Sequence, residues 1–383
     1  MSGLYIHIPF CLQKCRYCDF VSYTGHAMYM EAYLHALDTE IKQRAGEQNW
    51  GIFHTVFLGG GTPSLLSATQ METLLQTIHT HFQIAADAEI TVECNPGTAD
   101  VNKLAAYYRA GITRLSVGVQ STNDRILQAI GRIHTCEEAI SCLHNARTAG
   151  FQNINADIMH GLPGQTELDY ISAIQDISAA NVTHISAYSL LLEEGTPLYA
   201  AVAEGDVTLP NEDDVAVMQD IGALYLAQRG YERYEISNYA KTDATCLHNL
   251  NYWNNGDYLG LGAAAHSAWR LQQGWVRFEN PAALSAYIKT AAAPLFERTL
   301  IEIPPAEEAF ESVMLGLRQV RGLPLAAFQT RFGICLEQLY PHAVSKLTES
   351  GSLIIENGYA RLSKRGLDLQ NTMLQYFLDE PHK

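Results

Sequence analysis

Residues 101–159 read VNKLAAYYRAGITRLSVGVQSTNDRILQAIGRIHTCEEAISCLHNARTAGFQNINADIM, and the two rhythms in this stretch decide the fold. In VNKLAAYYRAG and CEEAISCLHNARTAGF the apolar residues recur three and four apart, as a helix packed on one face requires. Each is followed by a short apolar, β-branched run, Arg114–Val119 and Asn153–Met159, which reads as a strand. Gly111 and Gly150 stand just before those strands, where a helix C-cap is expected. The alternation continues in both directions. Leu4–Ile8, Thr55–Leu58, Glu89–Glu93 and His184–Leu191 read as strands; MEAYLHALDTEIKQRA, TQMETLLQTIHTHF and ELDYISAIQDISAA read as helices. Such alternation implies βαβ units and a parallel sheet. Six strands are too few for a complete eight-fold barrel, so the α/β expectation is a partial (β/α)6 barrel, with a Rossmann-type open sheet as the alternative.

Either arrangement places ligands at the C-terminal ends of the strands. The unusual motifs all fall there: clustered cysteines after the first strand, GGGTP (59–63) after the second, ECNPG (93–97) at the third, GVQS (118–121) after the fourth, and DIMHGLPGQT (157–166) at the fifth. That coincidence carries more weight than any one motif.

With 383 residues, one large domain and a smaller one are expected. Residues 1–200 are assigned to the partial barrel. Residues 201–300 form a less regular linking region, with a helix near Glu212–Arg229 followed by YERYEISNYAK, CLHNLNYW and GDYLGLGAAAHSAW. Residues 301–383 open with IEIPPAEE, show helical patterns, and include GSLIIENGYARLSKRG, a hairpin with Asn-Gly at its turn. This reads as a small helical, winged-helix-like domain. Its 8 basic against 9 acidic residues from Ala306 to Lys383 favour a structural cap over DNA binding.

A content of 47% hydrophobic and 17% charged residues is that of a globular chain with a sizeable core. No apolar run approaches the roughly 18 residues that span a bilayer, and MSGLYIHIPF lacks the basic start of a secretory leader. A cytoplasmic protein without an integral membrane segment is expected. The net charge of −16 is spread along the chain, which argues against nucleic acid as the main partner. A local basic pocket for an anion is still compatible with it.

Cys11, Cys15 and Cys18 bring three thiols to one loop. A structural zinc site takes four ligands, and no second cysteine pair is present, so zinc would need His7 or a distant cysteine. Iron–sulfur clusters are usually held by four thiolates; three leave one iron open to another ligand. Unligated thiols are the third reading. GGGTP has two readings as well, a tight connection or a turn that lets backbone approach a ligand through exposed N–H groups.

CxxxCxxC is the signature of the radical SAM superfamily, and the sequence resembles that superfamily in more than its cysteines. YIHIPFC, GGGTPS, GVQS, GRIHT and D-x-x-x-G-L-P-G-Q resemble the HemN/HemW group, named for oxygen-independent coproporphyrinogen dehydrogenase, over essentially the whole chain. The resemblance implies a [4Fe–4S] cluster on Cys11, Cys15 and Cys18, with S-adenosylmethionine on the open iron. Reductive cleavage of that ligand gives a 5′-deoxyadenosyl radical in this superfamily. Carried over by position, Tyr17 would touch the adenine and Tyr5 would lie beside the methionine portion. Gly60, Gly61 and Thr62 would form the turn that meets the amino group. Glu93, Gln120, Arg132 and Asp157 would line the same site, with Arg132 a partner for a carboxylate. Taken singly, Glu93 and Asp157 read equally as strand-end carboxylates, and Arg132 as a helix cap.

Two departures set the chain apart from the dehydrogenase: Phe20 stands where that enzyme has a further cysteine, and only four residues precede Tyr5. His248-Asn249-Leu250-Asn251-Tyr252-Trp253 matches instead the HNxxYW haem motif of the haem-chaperone branch. Imidazole is a common haem ligand, and Tyr252 and Trp253 offer flat surface for a porphyrin. The expected function is thus haem binding and delivery to an acceptor protein such as a respiratory enzyme, with His248 as iron ligand and without coproporphyrinogen dehydrogenase activity. A homodimer is left open. The alternatives are the dehydrogenase itself and a haem-degrading radical methyltransferase.

Overall fold

The computed structural model describes residues 1–272, 274–290 and 299–380. Its centre is a run of parallel strands, β1 (Ser2–Ile8), β2 (Ile52–Gly60), β3 (Gln83–Cys94), β4 (Arg114–Gln120), β5 (Asn153–His160) and β6 (His184–Ser189). The intervening helices are α1 (Met30–Glu47), α2 (Ala68–His81), α3 (Val101–Arg109), α4 (Cys136–Ala149) and α5 (Glu167–Ala179). Local chemistry fixes where they begin and end. Capping boxes start α2, α4 and α5 at Ser67/Gln70, Thr135/Glu138 and Thr166/Asp169, and Gly150 ends α4 in the left-handed conformation at φ 113°.

The stretch read from sequence as a linker supplies both edges of the same sheet. Helix α6 (Glu212–Gln228) leads to β7 (Glu232–Arg233) and β8 (Asn238–Ala240), which extend one side. Helix α7 (Leu247–Trp253) leads to β9 (Asp257–Leu261), β10 (His266–Leu271), β11 (Gly274–Glu279) and β12 (Thr299–Ile303), which extend the other. Strand order is β12-β11-β10-β9-β1-β2-β3-β4-β5-β6-β8-β7. Strands β9 and β1 to β6 run parallel; the outer ones are antiparallel. The sheet is therefore open, as a partial barrel requires, and ends on β12 and β7.

Strands β2 to β6 present an apolar face to one side and a largely polar face to the other. Val56 and Leu58, Ile90 and Val92, Leu115 and Val117, Ile154 and Ala156, and Ile185 all lie in the apolar core. Their neighbours Thr55, Glu89, Thr91, Arg114, Ser116, Asn155, His184 and Ser186 are buried polar residues on the other face. The half-barrel interior is thus polar, unlike most parallel sheets, which are apolar on both faces. Such an interior is stable only if its groups satisfy one another or a ligand.

A second core forms the C-terminal unit around Val313, Leu317, Phe328, Leu336, Tyr340, Leu353 and Phe377. It comprises α8 (Pro305–Gly316), β13 (Leu323–Pro324), α9 (Leu325–Phe332), α10 (Pro341–Glu349), β14 (Leu353–Glu356), β15 (Tyr359–Leu362) and α11 (Gln370–Leu378). The β14–β15 hairpin turns at Asn357 and Gly358, with φ of 51° and 80°, as the Asn-Gly pair demands.

Candidate functional site

A cavity of about 560 Å³ opens at the C-terminal ends of the strands. Cys11, Cys15 and Cys18 sit on its rim in the loop after β1, all half-buried and none in a disulfide. The loop is tied across the barrel mouth: Arg16 N donates to the Ile130 carbonyl at 3.0 Å and Gln13 Nε2 to the Gly131 carbonyl at 3.1 Å. Two sulfurs accept hydrogen bonds, Cys11 from Thr62 Oγ1 and Cys15 from Arg132 Nη1, both at 3.5 Å. Tyr17 packs against Ile126, Ile130, Met159 and Leu162, so the loop is pinned by apolar contact as well.

The turn after β2 is forced by crowding. Gly60 has φ 109°, and a Cβ there would lie 2.4 Å from the His7 ring; one on Gly61 would lie 2.7 Å from the Phe10 carbonyl. Its amides are already used, Gly60 N donating to Glu93 Oε2 at 3.0 Å and Gly61 N to the Ile8 carbonyl at 2.9 Å. The exposed donors expected from the sequence are absent at these two residues, so a charged amino group would have to meet backbone acceptors. Asn95 links the turn to the far wall, donating to Thr62 Oγ1 at 2.9 Å and accepting from Arg132 Nη2 at 2.8 Å. Gln120 reaches the cavity through a strand irregularity with φ 66°, an uncommon conformation for a non-glycine residue.

Two carboxyls face each other within the cavity wall. Burial first, then the charge of Asp157, pushes the Glu93 pKa up to about 7. Burial also raises that of Asp157, against hydrogen bonds led by Asn155, whose Nδ2 lies 2.7 Å from Oδ1. Arg114 lies below them, buried, and its Nε has no hydrogen-bond partner among the described residues; the same holds for Arg132 Nε. Buried cationic donors beside a cysteine loop suit an anionic group such as a carboxylate.

The structure thus brings together Cys11, Cys15, Cys18, Tyr17, Gly60, Gly61, Thr62, Glu93, Gln120, Arg132 and Asp157. Sequence reading missed Asn95, Arg114, Ser116, Asn155, Ser186 and Tyr188, which line the same space. Their signal was the polar–apolar alternation along the strands. Tyr5 lies at the edge of this space, stacked on the cavity-lining Phe57 and near the charge of Glu93. Its hydroxyl meets His7 Nδ1 at 2.9 Å, and it lines an adjoining gap of about 350 Å³ that shares Asp19 and Phe20 with the cavity.

The HNxxYW segment is α7, which plugs the opposite, N-terminal end of the half-barrel. Glu89 accepts from Leu247 N at 3.2 Å and His248 N at 3.1 Å, holding the helix start. Only Asn249 reaches the cavity floor. His248 is buried, with Nδ1 2.8 Å from Thr55 Oγ1 and Nε2 2.9 Å from the Tyr252 hydroxyl. Burial, with Arg114 nearby, lowers its pKa to about 3, so the ring is neutral. Neither nitrogen is free in this conformation, contrary to the expectation of an available iron ligand. Trp253 lies on the side of α7 away from His248, facing the C-terminal unit.

Three thiols on one loop, at the mouth of a half-barrel whose walls carry paired carboxyls and buried arginines, define a radical SAM protein. Residues 5–177 match the model of the radical SAM superfamily, and 303–369 that of the HemN C-terminal domain. The chain is 35% identical to the haem chaperone HemW of Bacillus subtilis over 99% of this chain and 100% of that one. It is 34% identical to HemW of Escherichia coli over 99% and 98%. The chain belongs to the HemW family. Its fold also matches the E. coli coproporphyrinogen III oxidase HemN with a TM-score of 0.83, at 22% identity, over 98% of this chain and 89% of that one.

Proposed function

We propose that the protein is a haem chaperone that binds a [4Fe–4S] cluster, S-adenosylmethionine and haem, and passes haem to an acceptor protein in the cytoplasm. The observation that carries this reading is the likeness to curated haem chaperones over nearly the whole chain. The residues present fit the cofactors. Cys11, Cys15 and Cys18 would hold the cluster, and Thr62 and Arg132 already donate to two of the sulfurs. Arg132 Nε would take the carboxylate of S-adenosylmethionine, the carbonyls of the glycine turn and Glu93 its amino group, and Tyr17 its adenine. Gln120 and Asp157 would complete the wall. The chemistry the cluster supplies when bound is one-electron reduction of the sulfonium; the chain orients that ligand and shields it from water.

Haem would engage the α7 segment. Ligation of iron by His248 needs one ring nitrogen: Nε2 would be freed by turning the Tyr252 hydroxyl aside while Nδ1 stays on Thr55, and the buried ring would have to become accessible. The exposed Phe20, at the position of the dehydrogenase's additional cysteine, supports a non-dehydrogenase role. The test is anaerobic reconstitution followed by haemin titration, analysis for 5′-deoxyadenosine, and an assay with coproporphyrinogen III. Haem binding without porphyrinogen turnover is expected; turnover without haem binding would refute the reading.

A further inference from the structure

The cavity at the strand ends reaches down the whole height of β4, from Gln120 to Arg114 on the floor. Arg114 is only 2% exposed, yet its guanidinium makes no hydrogen bond and no ion pair among the described residues. Its Nε is shut off from the cavity, while the two terminal nitrogens, equally without partners, border it. The acids around it are engaged elsewhere. Glu89 accepts from the first amides of α7, and Asp157 from Asn155 and Ser116; both act on Arg114 through space only. A buried arginine in another part of the chain is paired: Arg44 meets Glu40 at 3.5 Å and Glu47 at 2.5 Å. A buried cation left without a partner is costly and calls for an anion.

S-adenosylmethionine, held by Tyr17 and Arg132 at the cysteine loop, would not supply that anion. Arg132 donates to the Gly118 carbonyl, four residues further up β4, or about 13 Å along the strand. A second polar group at the floor is also unspent. The Asn249 side chain, rising from α7, has no hydrogen bond among the described residues. Ser116, Asn155 and Ser186, by contrast, are bonded to one another and form a satisfied polar wall. With the carboxyls of Glu93 and Asp157 also on the walls, one guanidinium balances a single negative charge and not a dianion. Carboxylate is the monoanion whose planar oxygens match a guanidinium in pairs. We propose that the floor of the cavity is a second ligand compartment, which takes a small monocarboxylate on Arg114 and Asn249 alongside S-adenosylmethionine. This rests on the assignment of the upper cavity to S-adenosylmethionine, and it adds a co-ligand that shares the same water-shielded space.

Anaerobically reconstituted protein saturated with S-adenosylmethionine is titrated at pH 8 in low-chloride buffer with acetate and L-lactate, followed by saturation-transfer NMR. Acetamide serves as the neutral isostere and inorganic phosphate as the dianion. Both carboxylates should bind saturably and compete with one another; acetamide and phosphate should not bind. Arg114→Gln should weaken the carboxylates about tenfold or more, the scale of a lost charge-assisted hydrogen bond, while S-adenosylmethionine still binds. Asn249→Leu should weaken them as well, and it decides the matter if Arg114→Gln does not fold. Arg125→Gln, exposed and outside the cavity, should change nothing. The compartment is refuted if neither carboxylate binds, if acetamide or phosphate binds as well as acetate, or if the folded floor variants bind carboxylate like the wild type. It is refuted too if Arg114→Gln loses S-adenosylmethionine itself, which would put Arg114 in that site. A wild type that takes up no S-adenosylmethionine fails the reading of the upper cavity before any carboxylate is added.

Discussion

Glu93 offers a test whose magnitude follows from its surroundings. Its carboxyl is buried beside Asp157 and accepts one backbone hydrogen bond, from Gly60, which moves its pKa from 4.5 to about 7. The folded protein then holds this proton more tightly than the unfolded chain does. The group's contribution to stability is complete below pH 4.5 and is lost as pH rises to about 7. At about 1.4 kcal/mol per tenfold change in proton affinity, ionised Glu93 costs the ligand-free protein about 3 kcal/mol at pH 8. Glu93→Gln keeps the shape and an acceptor for Gly60 while removing the charge. In urea unfolding of ligand-free protein, the variant should match the wild type at about pH 4 and exceed it by about 3 kcal/mol at pH 8. Affinity for S-adenosylmethionine should move the other way: it should fall in the wild type below pH 7, where the carboxyl must give up its proton, and be weaker but flat with pH in the variant. Parallel pH dependences of stability in the two proteins would refute the reasoning.

Replacing Cys11, Cys15 and Cys18 together with Ala should abolish iron and sulfide uptake on anaerobic reconstitution; zinc without iron in the anaerobically prepared wild type would sink the cluster assignment. Gly60→Val would place a branched Cβ against the His7 ring at a positive φ, so S-adenosylmethionine affinity should fall while iron content is retained. Unchanged affinity in a folded variant would make the turn a mere connector. His248→Ala removes both side-chain hydrogen bonds at the barrel plug, so stability should drop by about 1–3 kcal/mol. Its haem spectrum should change with iron–sulfur content intact; wild-type stability together with a wild-type haem spectrum would remove both roles from this histidine.

Much of the architecture is visible in the order of residues, because each βα unit is local. Thr135 and Glu138 start α4, Gly150 ends it, and Asn153 opens the next strand, all within twenty residues. The cavity wall was only half legible. Glu93 and Gln120 fall at strand ends, Asp157 in the last half of its strand and Arg132 in the loop beyond β4, but Arg114, Asn155 and Ser186 lie deeper, where a parallel strand would ordinarily be apolar. The role of α7 was hidden for a different reason. Seven residues of HLNY-rich helix read as a ligand motif, while the partners that turn it into a plug, Glu89 and Thr55, stand 159 and 193 positions from His248. Strands β10 to β12 were missed likewise, since short antiparallel runs give no helix to mark them, and the parallel β9 because its partner β1 stands at the other end of the sequence.

The central claim is haem carriage and release, and one measurement addresses it most directly. Anaerobically reconstituted protein loaded with one equivalent of haemin is mixed with a haem-free acceptor enzyme, and the porphyrin is followed spectroscopically as the acceptor gains activity. The account predicts that the Soret band moves from the chaperone to the acceptor, and that coproporphyrinogen III is left unchanged under the same conditions. Haemin that stays on the protein while coproporphyrinogen III is converted at a catalytic rate would contradict it.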